Sequence, residues 1–142
     1  MDREYTTRFL RTTSSAATKD ATDPKTVLHA AFDAILHGNY DLFGESVTDD
    51  VELSIRGFSG MEGTWRGRDE VVAAARTNFA MLVEQKPEIE SMIAEGDRIA
   101  VLLRENGVLK SNGQAYRVRG VQWFTFANGK ISKIDEIVAS IA

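Results

Sequence analysis

The stretch VQWFTFANGKISKIDEIV, residues 121–138, decides the fold: two runs rich in β-branched and aromatic residues meet at Asn128-Gly129, a pair that favours a hairpin. Gln122 in the first run and Glu136 in the second do not suit an apolar hairpin, and the loop decides whether they share a face. A plain two-residue turn would set Gln122 opposite Asp135. A type I turn followed by a left-handed glycine bulge at Gly129 would set it opposite Ile134. The bulged form sorts the side chains better. Val118, Gly120, Gln122, Phe124 and Phe126 then face the same way as Ser132, Ile134, Glu136 and Val138. The reverse face carries Arg117, Arg119, Val121, Trp123 and Thr125 beside Ile131, Lys133, Asp135 and Ile137. An apolar face with two strong polar groups suits a pocket. A face mixing charge with bulky apolar groups suits a subunit contact, so Val121, Trp123, Ile131 and Ile137 are expected at the interface of a homodimer.

Working outward, turn signals at Gly96-Asp97, Asn106-Gly107 and Asn112-Gly113 divide the preceding segment into strands at about 87–95, 98–106 and 115–127, with the last strand at 130–140. Further upstream, Asp23-Pro24 reads as an N-cap and first-turn proline. Val27, Leu28, Ala31, Phe32, Ile35 and Leu36 follow at helical spacing and form a buried stripe. A short helix is expected over 40–47, a strand over 51–55, a glycine-punctuated loop over 57–67 and a long helix over 68–84. Residues 1–22, rich in Ser, Thr and Ala, read as a flexible extension, with Tyr5, Phe9 and Leu10 as its only contacts for a partner subunit. Residues 23–142 form one domain. Helices followed by strands on short turns argue for an α+β fold whose helices cover one face of a mostly antiparallel sheet.

Composition narrows the function. The 142 residues are 43% hydrophobic, which suffices for one core, and a net charge of −4 gives no basic surface for nucleic acid or an anionic membrane. The chain has no cysteine, hence no disulfide and no thiolate metal site. No apolar run approaches a membrane span, and no signal-peptide core opens the sequence, so the default location is cytoplasmic. His29, Asp33 and His37 recur every four residues but on the helix face away from the stripe, so a solvated face is expected there and no metal.

The segments GNYDLFGESVTDDVELSIRG, GTWRGRDEVV and VRGVQWFTFANGKI stand in an order and spacing that resembles the NTF2-like superfamily, in particular its SnoaL-like and ketosteroid-isomerase-like members. The resemblance spans about residues 25–140. It implies a cone-shaped, cystatin-like α+β barrel, with three N-terminal helices closing a curved sheet around an apolar pocket, and commonly a dimer through the sheet's outer face. The catalytic positions transfer only in part. Ile55 stands where the isomerase keeps its aspartate base and Ala31 where it keeps an oxyanion-binding tyrosine. Gln122 stands where it keeps a protonated aspartate, and a glutamine amide can donate the same hydrogen bond. Glu136 stands where SnoaL-like cyclases keep an aspartate base.

The resemblance therefore implies a cofactor-independent isomerase or cyclase acting on a small apolar molecule, carbonyl compounds being the natural candidates. Glu136 would take a proton next to the carbonyl, and Gln122 would donate to the developing enolate. Tyr40, Trp65, Asn78, Phe124 and Ile134 are expected to line the pocket, Tyr40 and Trp65 at its rim. Two other readings stand beside this one: a non-catalytic binder of an apolar ligand, and a dimeric interaction module using the outer face.

Overall fold

Pro24 starts the first helix, because a proline at the first position needs no N–H partner and arrives with a helical φ. The computed structural model describes residues 23–141; Tyr5, Phe9 and Leu10, expected to contact a partner, lie outside the described residues. Helix α1 (Pro24–Leu36) buries Val27, Leu28, Ala31, Ala34 and Leu36. Asp23 holds the N-cap position without a side-chain capping bond. Asn39 caps α2 (Tyr40–Glu45) by accepting from the Leu42 N–H at 3.1 Å. Strands β1 (Val47–Arg56) and β2 (Gly63–Arg66) follow, then α3 (Arg68–Ala80). Arg68 ties the start of α3 to the core, donating to the carbonyls of Gly44 and Val47 at 3.0 Å each. Strands β3 (Leu82–Glu95), β4 (Arg98–Leu109), β5 (Ala115–Ala127) and β6 (Lys130–Ser140) complete the chain.

The six strands form one sheet in the order β2-β1-β6-β5-β4-β3, antiparallel except for the β1–β6 pair. The helices do not all precede the sheet as expected, since β1 and β2 separate α2 from α3. The segment read as a glycine loop contains β2, whose Trp65 pairs with Leu53 of β1. α3 ends at Ala80 instead of continuing to 84, and β3 begins at Leu82. Pro87 lies inside β3 because this is an edge strand, where a missing donor costs no ladder bond. The expected turn at Asn106-Gly107 is absent. Gly107 pairs with Tyr116 across the strands, and the tyrosine ring lies where a side chain at Gly107 would be, 2.7 Å from an ideal Cβ position. β4 thus runs on to Leu109.

The deciding hairpin corrects the expected register. Asn128 and Gly129 both have positive φ, 53° and 76°, and Ala127 pairs with Lys130, which defines a two-residue type I′ turn. The bulge lies three residues further on. Phe126 pairs with Ile131 and Thr125 with Lys133, leaving Ser132 as the extra residue, its hydroxyl donating to the Thr125 carbonyl at 3.2 Å. A plain turn followed by one bulge in β6 shifts the register the opposite way from a bulge at Gly129. Gln122 faces Glu136 directly instead of lying opposite Ile134.

Val118, Phe124, Phe126, Ile134 and Val138 are buried on the inner face, while Val121, Trp123 and Ile137 are exposed on the outer one. Ile131 moves across. It precedes the bulge and therefore points inward, 0% exposed, so it cannot serve a dimer interface through the outer face. Also on the outer face, Arg119 donates to Glu90 at 2.8 Å, and Arg104 stands 3.5 Å from Glu88.

Candidate functional site

Between the inner face of the sheet and helices α1 and α3 lies an apolar cavity of about 190 Å³. Phe32 and Phe124, packed edge to face with centroids 5.7 Å apart, form part of its wall. The register brings five polar side chains to this lining: Asn78 from α3, Gln85 from β3, Glu105 from β4, Gln122 from β5 and Glu136 from β6. Among the described residues no lysine, arginine or histidine lines it.

Gln122 and Glu136 form one polar pole. The Gln122 amide nitrogen donates to the Glu136 carboxyl group at 2.6 Å. The Gln122 amide oxygen is buried without a hydrogen-bond partner. Burial raises the Glu136 pKa above the ordinary carboxylate value, opposed by the bond from Gln122 and reinforced by the charge of Glu105. The parallel neighbour of Glu136 on β1 is Ile55, so the residue beside it offers no polar group.

The second pole was not foreseen. Glu105 accepts a hydrogen bond from the Tyr116 hydroxyl at 2.5 Å. Its pKa is also raised, chiefly by burial, against hydrogen bonds from Tyr116 and Gln85. Burial and the neighbouring Glu105 push the Tyr116 phenol up in turn. Phe58, from the β1–β2 connection, packs on the Tyr116 ring at 5.4 Å. A signal for Glu105 was present, because Ile99, Val101 and Leu103 alternate inward along β4 and Glu105 is the next such position. Ending the strand at Asn106-Gly107 hid it at a strand terminus. Gln85 had no such signal, since the ladder shifts between Val83 and Lys86 and Glu84 takes a φ of 53°.

Asn78, Phe124 and Ile134 line the cavity together with Gln122 and Glu136; Ile131 joins them from the wrong side of the expected sheet. Tyr40 and Trp65 do not line it, contrary to expectation. Tyr40 faces a separate surface cleft between α2 and α3, its ring under the Arg76 guanidinium at 5.2 Å. Trp65 lies across Gly63 of its own strand, with an ideal Cβ at Gly63 only 2.9 Å from the ring, and packs on the core. Its strand is at the sheet edge beyond β1, and it is the paired β1 residues Leu53 and Ile55 that reach the cavity. The His37 imidazole turns back on Asp33, 2.8 Å from its carbonyl oxygen and 3.3 Å from its carboxylate. His29 is partly buried, which lowers its pKa. Among the described residues no group of three or more His, Cys, Asp and Glu side chains could hold a metal ion, and no helix is long and apolar enough to cross a membrane.

Residues 28–134 match the family described as the SnoaL-like domain. No curated protein matches the chain. Several solved structures do. An NTF2-like protein from Burkholderia xenovorans superimposes with a TM-score of 0.71 at 20% identity, covering 81% of this chain and 88% of its own. A protein from Jannaschia, described as a SnoaL-like polyketide cyclase, gives 0.72 at 18% identity over 86% of this chain and 88% of that one. A Mycobacterium tuberculosis protein in complex with estradiol-17β-hemisuccinate gives 0.66 at 19% identity, over 78% and 88%. At these identities the likeness is one of fold.

Proposed function

Because the chain belongs to the family of SnoaL-like domains, we propose that its cavity binds a small apolar molecule and that Glu136 moves a proton at a carbon next to a carbonyl group, without a cofactor. The observation that carries this reading is the 2.6 Å bond between Gln122 and Glu136 in the wall of an otherwise apolar cavity. A carboxyl with a raised pKa is the better base near neutral pH, since a strongly acidic carboxylate has little drive to take a proton from carbon. One N–H of the Gln122 amide orients Glu136. The other is free to donate to the oxygen on which enolate charge develops.

Energetics support a use for the space. By the cost of about 24 cal/mol per Å³ found for closed core cavities, 190 Å³ forfeits at most roughly 4.6 kcal/mol, an upper bound because this cavity is partly open to solvent, set against the 5–15 kcal/mol that typical domains possess. Size also limits the ligand. A cavity of about 150 Å³ holds a benzene ring, so the enclosed space here suits a single ring with a substituent, and a larger ligand would extend out of the mouth.

The domain acts as a homodimer in this reading. Support comes from the outer face, where Trp123 is 42% and Ile137 60% exposed, with Val121 beside them and Ile93 further along the same surface.

The test is exchange of the α-protons of a small cyclic ketone, such as cyclohexanone, in deuterated buffer, followed by NMR. Wild-type protein should accelerate exchange, and Glu136→Gln should lower the rate by a factor of about 100 or more. Equal exchange by both proteins would refute proton transfer by Glu136. Ketone binding without exchange would make the protein a ligand-binding module.

A further inference from the structure

The cavity lining carries two carboxyl groups and, among the described residues, no positively charged side chain. Four carboxyl oxygens, on Glu105 and Glu136, and the buried, unpartnered amide oxygen of Gln122 belong to lining residues. The donors facing them are all neutral: the amides of Asn78, Gln85 and Gln122 and the Tyr116 hydroxyl, of which Gln122 bonds to Glu136 and Tyr116 and Gln85 bond to Glu105. Two acids in one apolar enclosure, with no cationic side chain in the lining, leave an unbalanced negative field. Such groups are ordinarily matched by a cation or kept protonated. Among the described residues no cation lines the cavity, so a cationic ligand would meet two carboxyl groups without a competitor.

We infer that the ligand of this cavity is a compact apolar amine, whose ammonium group donates to the Glu136 carboxylate and to the unpartnered oxygen of Gln122, with Glu105 adding a second negative charge from further along the cavity. A primary ammonium brings three donors and no acceptor, which complements this lining. The register supports the placement. Gln122 and Glu136 are direct cross-strand partners, so their oxygens lie together, whereas Glu105 pairs with Val118, four residues or roughly 13 Å back along β5. Glutamate side chains shorten that interval from both ends, and the charge of Glu105 is felt at Glu136. The apolar part of the ligand then lies against Phe32, Phe124 and Ile134. A neutral ketone or alcohol of the same shape fills the space but leaves the negative field uncompensated.

This inference rests on the cavity being a ligand site and is independent of proton transfer by Glu136. Benzylamine and benzyl alcohol, nearly equal in shape and differing in charge, are the probes, with binding measured by calorimetry at pH 7. Benzylamine should bind more tightly by a factor of about ten or more, the worth of one charge-assisted hydrogen bond. Glu136→Gln should abolish that preference, its folding being checked separately by circular dichroism. Glu105→Gln, whose charge lies further from the ammonium, should reduce the preference without abolishing it, and serves if Glu136→Gln does not fold. Benzyl alcohol binding as tightly as benzylamine would overturn the inference and leave the ligand site standing. An amine preference that survives both substitutions would overturn it as well. If neither probe binds, the inference and the ligand-site reading fall together, whatever the exchange assay gives.

Discussion

Replacing Ala75 by leucine tests whether the cavity is real space. Ala75 is partly buried on α3 and lines the cavity, so the larger side chain extends into the void without introducing a polar group, and leucine is nearly as good a helix former as alanine. Three added carbons, each worth about 0.8 kcal/mol when buried, give a gross gain near 2.4 kcal/mol. Fixing the leucine rotamer returns about 0.5–1 kcal/mol of this, leaving a net stabilisation of about 1.5 kcal/mol. That is well inside the roughly 4.6 kcal/mol ceiling set by the 190 Å³ of unfilled volume. Urea unfolding followed by far-ultraviolet circular dichroism should show a higher midpoint with an unchanged slope. The variant should also lose affinity for any ring-sized ligand, because the same space cannot hold both. Destabilisation by about 1 kcal/mol or more is what overpacking a filled core produces. That result would mean the helices close on the sheet in solution, and both the cavity and the functional reading would be refuted.

A carboxyl whose folded pKa lies above its unfolded value contributes most to stability below the unfolded pKa and loses that contribution as pH rises through the folded one. For Glu136, raised by burial, Glu136→Gln should match wild type near pH 4 and exceed it at pH 8, by about 1.4 kcal/mol for each unit of the rise; lower stability of the variant at pH 8 would refute the burial account. Trp123→Arg should convert a dimer to a monomer in sedimentation at micromolar concentration, and a wild-type protein that is itself monomeric there would refute the outer-face interface. Gly57→Ala should cost about 2 kcal/mol or more in thermal unfolding, because Gly57 has a φ of 95° and a Cβ there would lie 1.6 Å from the Val138 carbonyl oxygen; a neutral substitution would refute the close approach of the two backbones.

The hairpin was legible because period-two alternation and Asn-Gly each carry a direct physical meaning. The location of its irregularity was not. A bulge at Gly129 and a bulge at Ser132 both return Gln122 and Glu136 to one face, and nothing in ISKID marks Ser132 as the extra residue. What distinguishes the two is Ile131, whose burial is satisfied only when the bulge follows it. That is a tertiary fact. Trp65 and Tyr40 illustrate the same limit: an aromatic beside a glycine turn has several surfaces to cover, and only the finished sheet decides that Trp65 covers Gly63 and Tyr40 receives Arg76. Glu105 shows a different failure, since its alternation was visible and was overridden by a turn signal that Tyr116 neutralises by covering Gly107.

Glu105 also changes what Glu136 means. Alone, a buried glutamate bonded to a glutamine could be a satisfied structural pair in a β-sheet. Two glutamates lining one cavity, each with only neutral donors, cannot both ionise without a cost that the bonds from Gln122, Tyr116 and Gln85 offset only in part. A purely structural site would be expected to supply an arginine or lysine, as the outer face does, where Arg104 and Arg119 approach Glu88 and Glu90. The same chain therefore balances charge on the surface, where it matters little to stability, and leaves it unbalanced inside, where it matters most. That inversion is intelligible if the missing charge or proton arrives with a ligand, and it ties the cavity, the carboxyl pair and the unpartnered Gln122 oxygen to one cause.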